Sequence, residues 1–308
     1  MSRHYLARRL RLCAPLFSAL AVLFVGPTRA ADPVAWKFQV GEGNHYRMTQ
    51  KMTIDIQMGD GASETQDITN VIDMSWIADE VNNDGSARLT QTIDRMQMTI
   101  APKGRDKVEF DSKTTDEPQG FAAMVAPLFR ELSRAKFKLT MSPRGKVSDV
   151  EVPESLVKAL AASPGAAAMG DLATAKGLED TMSRMSLEVP ETLETGTTWK
   201  SITETNNPAL GKQTIIITYE YVGPREKDGV TFEVFEPTLE IAFAGGAATA
   251  TIEEQKSNGE VLFNRTAGRL ESTKLDHTMK LKLVVAGQTL NQTLTQSTDM
   301  QWMPPEEK

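Results

Sequence analysis

The sequence has 308 residues, 40% of them hydrophobic and 24% charged, and a formal net charge of −7. A chain of this length buries a sizeable core, as one large domain or two moderate ones. Its acidic balance, without a dense basic patch, excludes general attraction to nucleic-acid phosphates and to anionic lipid surfaces. We therefore predict no nucleic-acid partner.

The N-terminus has the pattern of an export signal. Arginines dominate residues 1–11, an apolar run covers residues 12–26, and small residues precede Ala31. The apolar run is shorter than the roughly 20 residues that a permanent membrane-spanning helix needs. We predict a signal peptide over residues 1–30, cleaved near Ala30-Ala31, and a periplasmic or extracellular protein without a transmembrane segment. An uncleaved anchor is the alternative, and the general secretory route is favoured over the twin-arginine route.

Cysteine is confined to this predicted signal, because Cys13 is the only one in the sequence. Cleavage therefore leaves a chain that forms no disulfides, holds no metal through thiolates and uses no thiol in catalysis. Of the 34 basic residues, five are signal arginines, so 29 remain against 41 acidic ones, a net charge of −12. An exported domain of this kind depends on its apolar core for stability.

Alternation of apolar and polar residues predicts long strands over residues 46–58, 64–77 and 86–100. A strand that is apolar on one side only belongs to an antiparallel sheet with one buried and one solvated face. In the third segment the alternation changes side at Asp94-Arg95. A β-bulge there would return the following residues to the buried side and bend the strand. The alternative is a strand that passes the sheet edge and is covered on both faces.

A helix interrupts the strands at residues 119–134, where apolar residues recur at helical spacing and Pro127 predicts a kink. Near the C-terminus, residues 269–285 and 288–303 read as a long hairpin. We predict a mainly β fold of α+β type, with curved, long-stranded antiparallel sheets in two similar halves and the kinked helix inserted in the first. The predicted domains are a first β module at 31–160, an Ala- and Gly-rich linker with a short helix at 161–186, a second β module at 187–303 and a tail at 304–308.

Three landmarks recur in the same order in both halves and suggest an internal duplication. They are a glycine leading into an aromatic strand start, an Asp-Gly turn, and a glycine turn after a later strand. The alternative is that long hairpins all need glycine turns at similar intervals. The paired segments are 43–46 with 196–199, 84–85 with 228–229, and 144–147 with 268–270.

The order of these turns resembles an uncharacterised family of exported bacterial β-rich proteins. The resemblance is carried by the segments "GEGNHY" (41–46), "VNNDGSA" (81–87) and "PRGKV" (143–147), by Asp111-Ser112, and by "GTTW" (196–199). These motifs are turns and strand starts, so the resemblance implies a fold and supplies no catalytic residues. A looser similarity, at the level of fold, is to the half-barrels of periplasmic lipoprotein carriers, in which a curved sheet wraps an apolar cavity.

Motifs for catalysis or metal binding are missing from the sequence. His45 and His277 follow the predicted signal, and neither has the spacing of a metal-ligand pair. No nucleophile elbow or phosphate-binding loop occurs. The acid pairs Glu179-Asp180 and Glu253-Glu254 have polar neighbours, which indicates solvated faces. We predict no catalytic residues, metal site or cofactor, and we interpret Asp94-Arg95 as an exposed ion pair.

Methionine is abundant, with 15 residues, while aromatic residues make up only 6%. Because methionine side chains are flexible and polarisable, a methionine-rich face suits varied apolar ligands. Ordinary core filling between a sheet and its helices is the alternative. The predicted apolar groove consists of Met48, Met52, Met74, Trp76, Met98, Phe121, Met124, Leu128 and Met279.

Three functions fit these observations. The first is an exported, non-enzymatic protein that binds a lipid or other apolar ligand in a groove of the curved sheet. The second is a structural or protein-interaction module of the cell envelope with a solid core. The third is a hydrolase with dispersed carboxylates. The volume of any cavity discriminates the first two, since ligand pockets usually exceed about 300 Å³.

Overall fold

Long antiparallel strands dominate the computed structural model, which describes residues 33–59, 61–114, 121–163, 171, 174–183, 186–207, 210–246, 248–285 and 287–304. The mainly β prediction is confirmed. The predicted signal and most of the predicted tail lie outside the described residues. The strands are β1 Gly43–Met58, β2 Ser63–Val81, β3 Ala87–Pro102, β4 Val108–Asp111, β5 Lys136–Met141, β6 Val147–Glu151, β7 Thr198–Asn207, β8 Gly211–Lys227, β9 Val230–Ala244, β10 Thr249–Asn264, β11 Arg269–Val285 and β12 Gln288–Met303.

All twelve strands belong to one antiparallel sheet that is not closed, in the order β6-β5-β3-β2-β1-β12-β11-β10-β9-β8-β7, with β4 beside β3. Each half of the chain is a meander, in which sequential strands lie side by side. The two meanders join where β1 pairs with β12, from His45 opposite Met303 to Met58 opposite Leu290. The three sequence landmarks that recur in both halves lie at equivalent turns or strand starts of the two meanders. Residues 34–308 form one compact unit, and the division at 161–186 stays a prediction.

The parity change in β3 is a β-bulge, as predicted. Asp73 of β2 lies opposite Arg95 and Met74 lies opposite Ile93, so Asp94 has no partner in the ladder. The extra residue keeps side chains before and after it on the same side of the sheet. The partner of β3 also changes at this point, from β5 over residues 87–92 to β4 over residues 97–100.

In the described part of the chain, three helices cover parts of the sheet: α1 Phe121–Leu132, α2 Glu154–Ala162 and α3 Ala175–Met182. Pro127 lies inside α1, with its ring exposed. Beneath α1, Ala126 packs into a buried cluster with Met98 and Phe110, and Leu128 joins a second cluster with residues of α2 and β5. Around Ala126 and Leu128, the described part of this helix therefore packs closely against its neighbours.

The main core lies on one side of the sheet, which we call the inner face, where both meanders contribute aromatic residues. Trp36 is buried there, and its indole N–H donates to the carbonyl oxygen of Leu187 at 3.1 Å. The backbone N–H of Trp36 donates to the carbonyl oxygen of Pro143 at 2.7 Å. The backbone N–H of the next residue, Lys37, donates to the carbonyl oxygen of Gly268 at 3.0 Å. The segment before β1 is thus held between the equivalent turns of the two halves.

The ladder between β9 and β10 is short. It covers Phe232–Phe235 against Val261–Asn264 and ends near Pro237, which has no N–H to donate. Beyond that point, Ser257 Oγ of β10 accepts from the N–H of Leu239 at 2.7 Å and donates to its carbonyl at 3.0 Å. Side chains thus replace backbone pairing and keep β9 against the inner face of β10.

Candidate apolar binding site

From Met48 to Ile54 of β1 and their partners on β2 and β12, the inner face of the central strands carries no charged side chain and is half-buried; Glu64 of β2 lies on the same face further along, opposite Ile56. The opposite face of β1 carries Arg47, Lys51 and Asp55. Strand alternation alone separates the two sets. The inner-face residues are Met48, Gln50, Met52, Ile54 and Ile56 on β1, Ile68, Asn70 and Ile72 on β2, and Leu290, Gln292, Leu294, Gln296, Thr298 and Met300 on β12.

The amide groups on this face bond to one another. Asn70 Nδ2 donates to Gln50 Oε1 at 3.2 Å, and Gln296 Nε2 donates to Thr298 Oγ1 at 3.2 Å. Side-chain amides that are paired in this way need fewer bonds to water. These bonds satisfy part of the hydrogen-bonding capacity of the amides and so reduce the hydration that contact with a hydrocarbon surface would displace.

An apolar cavity of about 120 Å³ adjoins this surface, and we call it the apolar pocket. Met300 of β12 forms part of its wall and pairs with Met48 of β1, so the pocket is continuous with the uncharged inner face. Most of the wall comes from the second meander. The lining residues are Ser186, Leu187, Ile217, Tyr219, Pro237, Val261, Leu270, Thr273, Leu275 and Met300.

A second cavity, of about 340 Å³, lies on the other side of Ser186 and Tyr219, which line both cavities. We call it the polar pocket. Trp199 of β7 stacks on Tyr219 of β8 with ring centroids 5.4 Å apart, and burial raises the pKa of Tyr219 to about 12. Its lining residues are Arg144, Ser183, Ser186, Glu188, Pro190, Trp199, Lys200, Ser201 and Tyr219.

His277 is a titratable residue on the inner face of β11. It is 2% exposed, lies between Leu275 and Met279 on that face, and makes no hydrogen bond to any described residue. Burial lowers the pKa of the imidazole. The ring is therefore held neutral among apolar neighbours.

The predicted groove residues do not form one site. Met74 and Trp76 belong to the main core, against which Met48 packs, and Met52 lies further along the uncharged inner face. Met98 and Leu128 are buried in the separate clusters around α1, and Met279 is buried on β11. The side chains of Phe121 and Met124 lie outside the described part of the chain. The predicted groove contained no residue of β12 and did not include the polar pocket. The alternation of residues 288–303 nevertheless marks Leu294 and Met300 as apolar positions.

The bulge gives Asp94 a structural contact. Ser75 donates a short hydrogen bond to its carboxylate, Thr92 donates to it at 2.9 Å, and His45 Nδ1 lies 2.8 Å from Ser75 Oγ. Ser75 is buried, and its hydroxyl donates to the Asp94 carboxylate. The contacts among His45, Ser75 and Asp94 therefore connect β1, β2 and β3. The neighbouring Arg95 pairs instead with Asp111 at 2.5 Å.

No group of three or more histidine, cysteine, aspartate or glutamate side chains in the described part of the chain is placed to hold a metal ion. Within the same residues, each helix is too short or too polar to cross a membrane.

The sequence and the fold were compared with known proteins. No curated protein sequence matches the chain. Lipovitellin, solved for its lipid–protein interactions, is similar with a TM-score of 0.47 and 10% identity, over 88% of this chain and 26% of that chain. DynF of the dynemicin biosynthesis pathway of Micromonospora chersina has a TM-score of 0.23 and 8% identity, over 91% and 90%.

OpdQ of Pseudomonas aeruginosa has a TM-score of 0.23 and 6% identity, over 86% of this chain and 100% of that chain. Since this chain spans only 26% of lipovitellin and every TM-score is low, these likenesses carry no functional argument. The predicted resemblance to an uncharacterised family is confirmed. Residues 84–223 match a family of unknown function, DUF6263.

Proposed function

We propose that this is an exported, non-enzymatic protein that binds a lipid or another apolar ligand on the inner face of its sheet. The observation that carries the proposal is the uncharged, half-buried surface of β1, β2 and β12, which continues into the apolar pocket. Burying apolar surface contributes about 25 cal/mol per Å². A hydrocarbon chain on this surface therefore gains free energy without leaving a buried charge unpaired.

The location differs from the groove predicted beneath α1. Met98 and Ala126 are buried together there and fill the described part of that region. The open apolar surface lies instead on the central strands, away from the helix. A ligand bound there would contact Met52, Ile54 and Leu294.

The second candidate is an envelope interaction module with a solid core. It is favoured by the three packed clusters and by the apolar pocket, whose 120 Å³ is below the roughly 300 Å³ of most ligand sites. The two candidates differ in one respect, which is whether the inner face binds a small apolar molecule. Export rests on the N-terminal pattern, and fractionation of the host with N-terminal sequencing of the mature chain tests it.

The binding proposal is tested with purified protein by native mass spectrometry, lipid extraction and uptake of an apolar fluorescent probe. Leu294→Lys places a charge on the inner face, and Thr295→Lys places the same charge on the exposed outer face of the same strand. We expect Leu294→Lys to weaken probe binding at least about tenfold, since burying an unpaired charge is costly. Thr295→Lys should leave it unchanged. No bound lipid and no probe uptake by the natural chain would instead favour the solid-core module.

A further inference from the structure

We propose that the ligand is a phosphate-bearing amphiphile whose head group lies in the polar pocket while one hydrocarbon chain enters the apolar pocket. This inference rests on the proposed function and names the ligand class. Its basis is the adjacency of two chemically different cavities, of about 340 Å³ and 120 Å³, that share Ser186 and Tyr219 as walls. One molecule with a polar and an apolar end spans both.

Arg144 is fixed in a geometry suited to phosphate. Its Nε donates to the carbonyl oxygen of Val189 at 2.9 Å, and its Nη1 lies 2.9 Å from Glu191 Oε1. These two bonds orient the guanidinium plane and leave Nη2 without a hydrogen bond to any described residue. A positioned arginine loses little entropy when it binds phosphate oxygens, and charge-assisted bonds of this type are strong.

Lys200 supplies a second cation to the same pocket. It follows Trp199 on β7, projects from the opposite side of this strand, is exposed, and forms no ion pair within the described chain. An ammonium group on a flexible stem binds phosphate as a point charge. The polar pocket therefore has Lys200 and the free Nη2 of Arg144, whose Nη1 is paired with Glu191, at its lining beside an apolar compartment, and these donors match a phosphate head joined to a hydrocarbon chain.

The wall between the pockets has the same dual character. The ring of Tyr219 forms part of the apolar pocket and also supports Trp199 in the polar pocket. Tyrosine and tryptophan favour boundaries where one side is apolar and the other is wet. The junction of the head group and the chain would lie against this pair.

Glu188 also lines the polar pocket, and its negative charge should distinguish two classes of phosphate head group. Its carboxylate opposes a head group whose only charge is the phosphate. A head group that also carries an ammonium would offset this repulsion. The shared chemistry is the phosphodiester, and the two head groups are separated by experiment.

The experiment compares three single-chain lipids with the same acyl chain below their micelle concentrations. They are a monoacylglycerol, a lysophospholipid with a glycerol head and a lysophospholipid with an ethanolamine head. Their affinities are measured by displacement of an apolar probe from the natural chain, from Lys200→Gln and from Lys282→Gln. Lys282 is an exposed lysine on the same sheet, on β11, and serves as the matched control.

We expect both lysophospholipids to bind about tenfold more tightly than the monoacylglycerol, as one charge-assisted contact allows. Lys200→Gln should remove most of this preference, and Lys282→Gln should retain it. Tighter binding of the ethanolamine lipid, lost in Glu188→Gln, would support recognition of the ammonium. Equal binding of both lysophospholipids would support recognition of the phosphate alone.

Equal binding of all three lipids would overturn the head-group inference but leave the proposed apolar binding intact. A phosphate preference that survives Lys200→Gln would overturn it as well, because the head group would then be recognised elsewhere. Failure of every lipid to displace the probe from the inner face would overturn the proposed function too. The two failures are therefore distinguishable.

Discussion

The carboxylate of Glu233 on β9 is completely buried and accepts a short hydrogen bond from the hydroxyl of Tyr221 on β8. Its other oxygen, Oε1, lies 2.9 Å from Nη1 of Arg265. Burial, and then the hydrogen bond to Glu233, raises the pKa of Tyr221. The phenol is therefore a fixed donor to a charge that has no access to water.

We expect Tyr221→Phe to lower the free energy of unfolding by about 1–3 kcal/mol, because it leaves a buried carboxylate with one partner fewer. Urea denaturation measures the change. Tyr219→Phe is the control, since the Tyr219 hydroxyl makes no hydrogen bond to a described residue, and a smaller loss is expected there. Equal losses in the two variants would contradict a stabilising role for the bond to Glu233.

His277 should make stability depend on pH. Burial lowers the pKa of the folded-state imidazole, so the unfolded chain binds the proton first as pH falls below about 6.5. The free energy of unfolding should therefore decrease from pH 7.5 to pH 5, by at most about 1.4 kcal/mol per pH unit from this residue. His277→Gln should flatten this part of the profile. If the free energy of unfolding of His277→Gln fell with pH as steeply as that of the natural chain, His277 would not be the cause of this pH dependence.

The bulge predicts that β3 tolerates deletion of one residue, Asp94. Removing Asp94 leaves Ile93 opposite Met74 and Arg95 opposite Asp73, so every apolar side chain of β3 keeps its side. Removing Thr90, which has partners in both neighbouring strands, turns part of the strand over, because side chains alternate. We expect the Asp94 deletion to fold with a modest loss and the Thr90 deletion to be far less stable, as measured by thermal denaturation. The reverse order would show that the bulge is not a removable insertion.

The turn at Gly145 should not accept a side chain. A Cβ there would lie 2.1 Å from the carbonyl oxygen of Leu187 and 2.5 Å from Trp36 Nε1, at a φ of +86°. Gly229 has a φ of +77° and open space around it, so Gly229→Ala isolates the backbone cost. We expect Gly145→Ala to exceed Gly229→Ala by more than about 2 kcal/mol in the free energy of unfolding. Similar losses would mean that the contact with Leu187 and Trp36 relaxes easily.

Local patterns predicted the strands well. The C-terminal hairpin has the bounds expected from alternation, at 269–285 and 288–303. The shift of parity at Asp94 located a bulge to the residue. The pairing of β1 with β12 was not predicted, because partners so distant in sequence leave no mark in either segment alone. Helix α1 was predicted at residues 119–134, and the structure has it at Phe121–Leu132.

The candidate site was harder to predict than the fold. Alternation shows which side of a strand is apolar but not what covers it, so Met98, packed against α1, and Met52, half-exposed on β1, have the same signal. The polar pocket joins Arg144, Glu188 and Lys200 from three separate segments. Only the folded chain brings these charges together.

The contact between β1 and β12 also governs how the molecule is made. Translation delivers β1 early, yet its neighbour on one side is completed only when residues 288–303 have been added. A growing polypeptide therefore displays an unpaired strand edge for most of its synthesis, and such edges recruit other chains. Late pairing between remote segments is also slow. A product truncated before β12 would keep this edge unpaired and is therefore expected to aggregate.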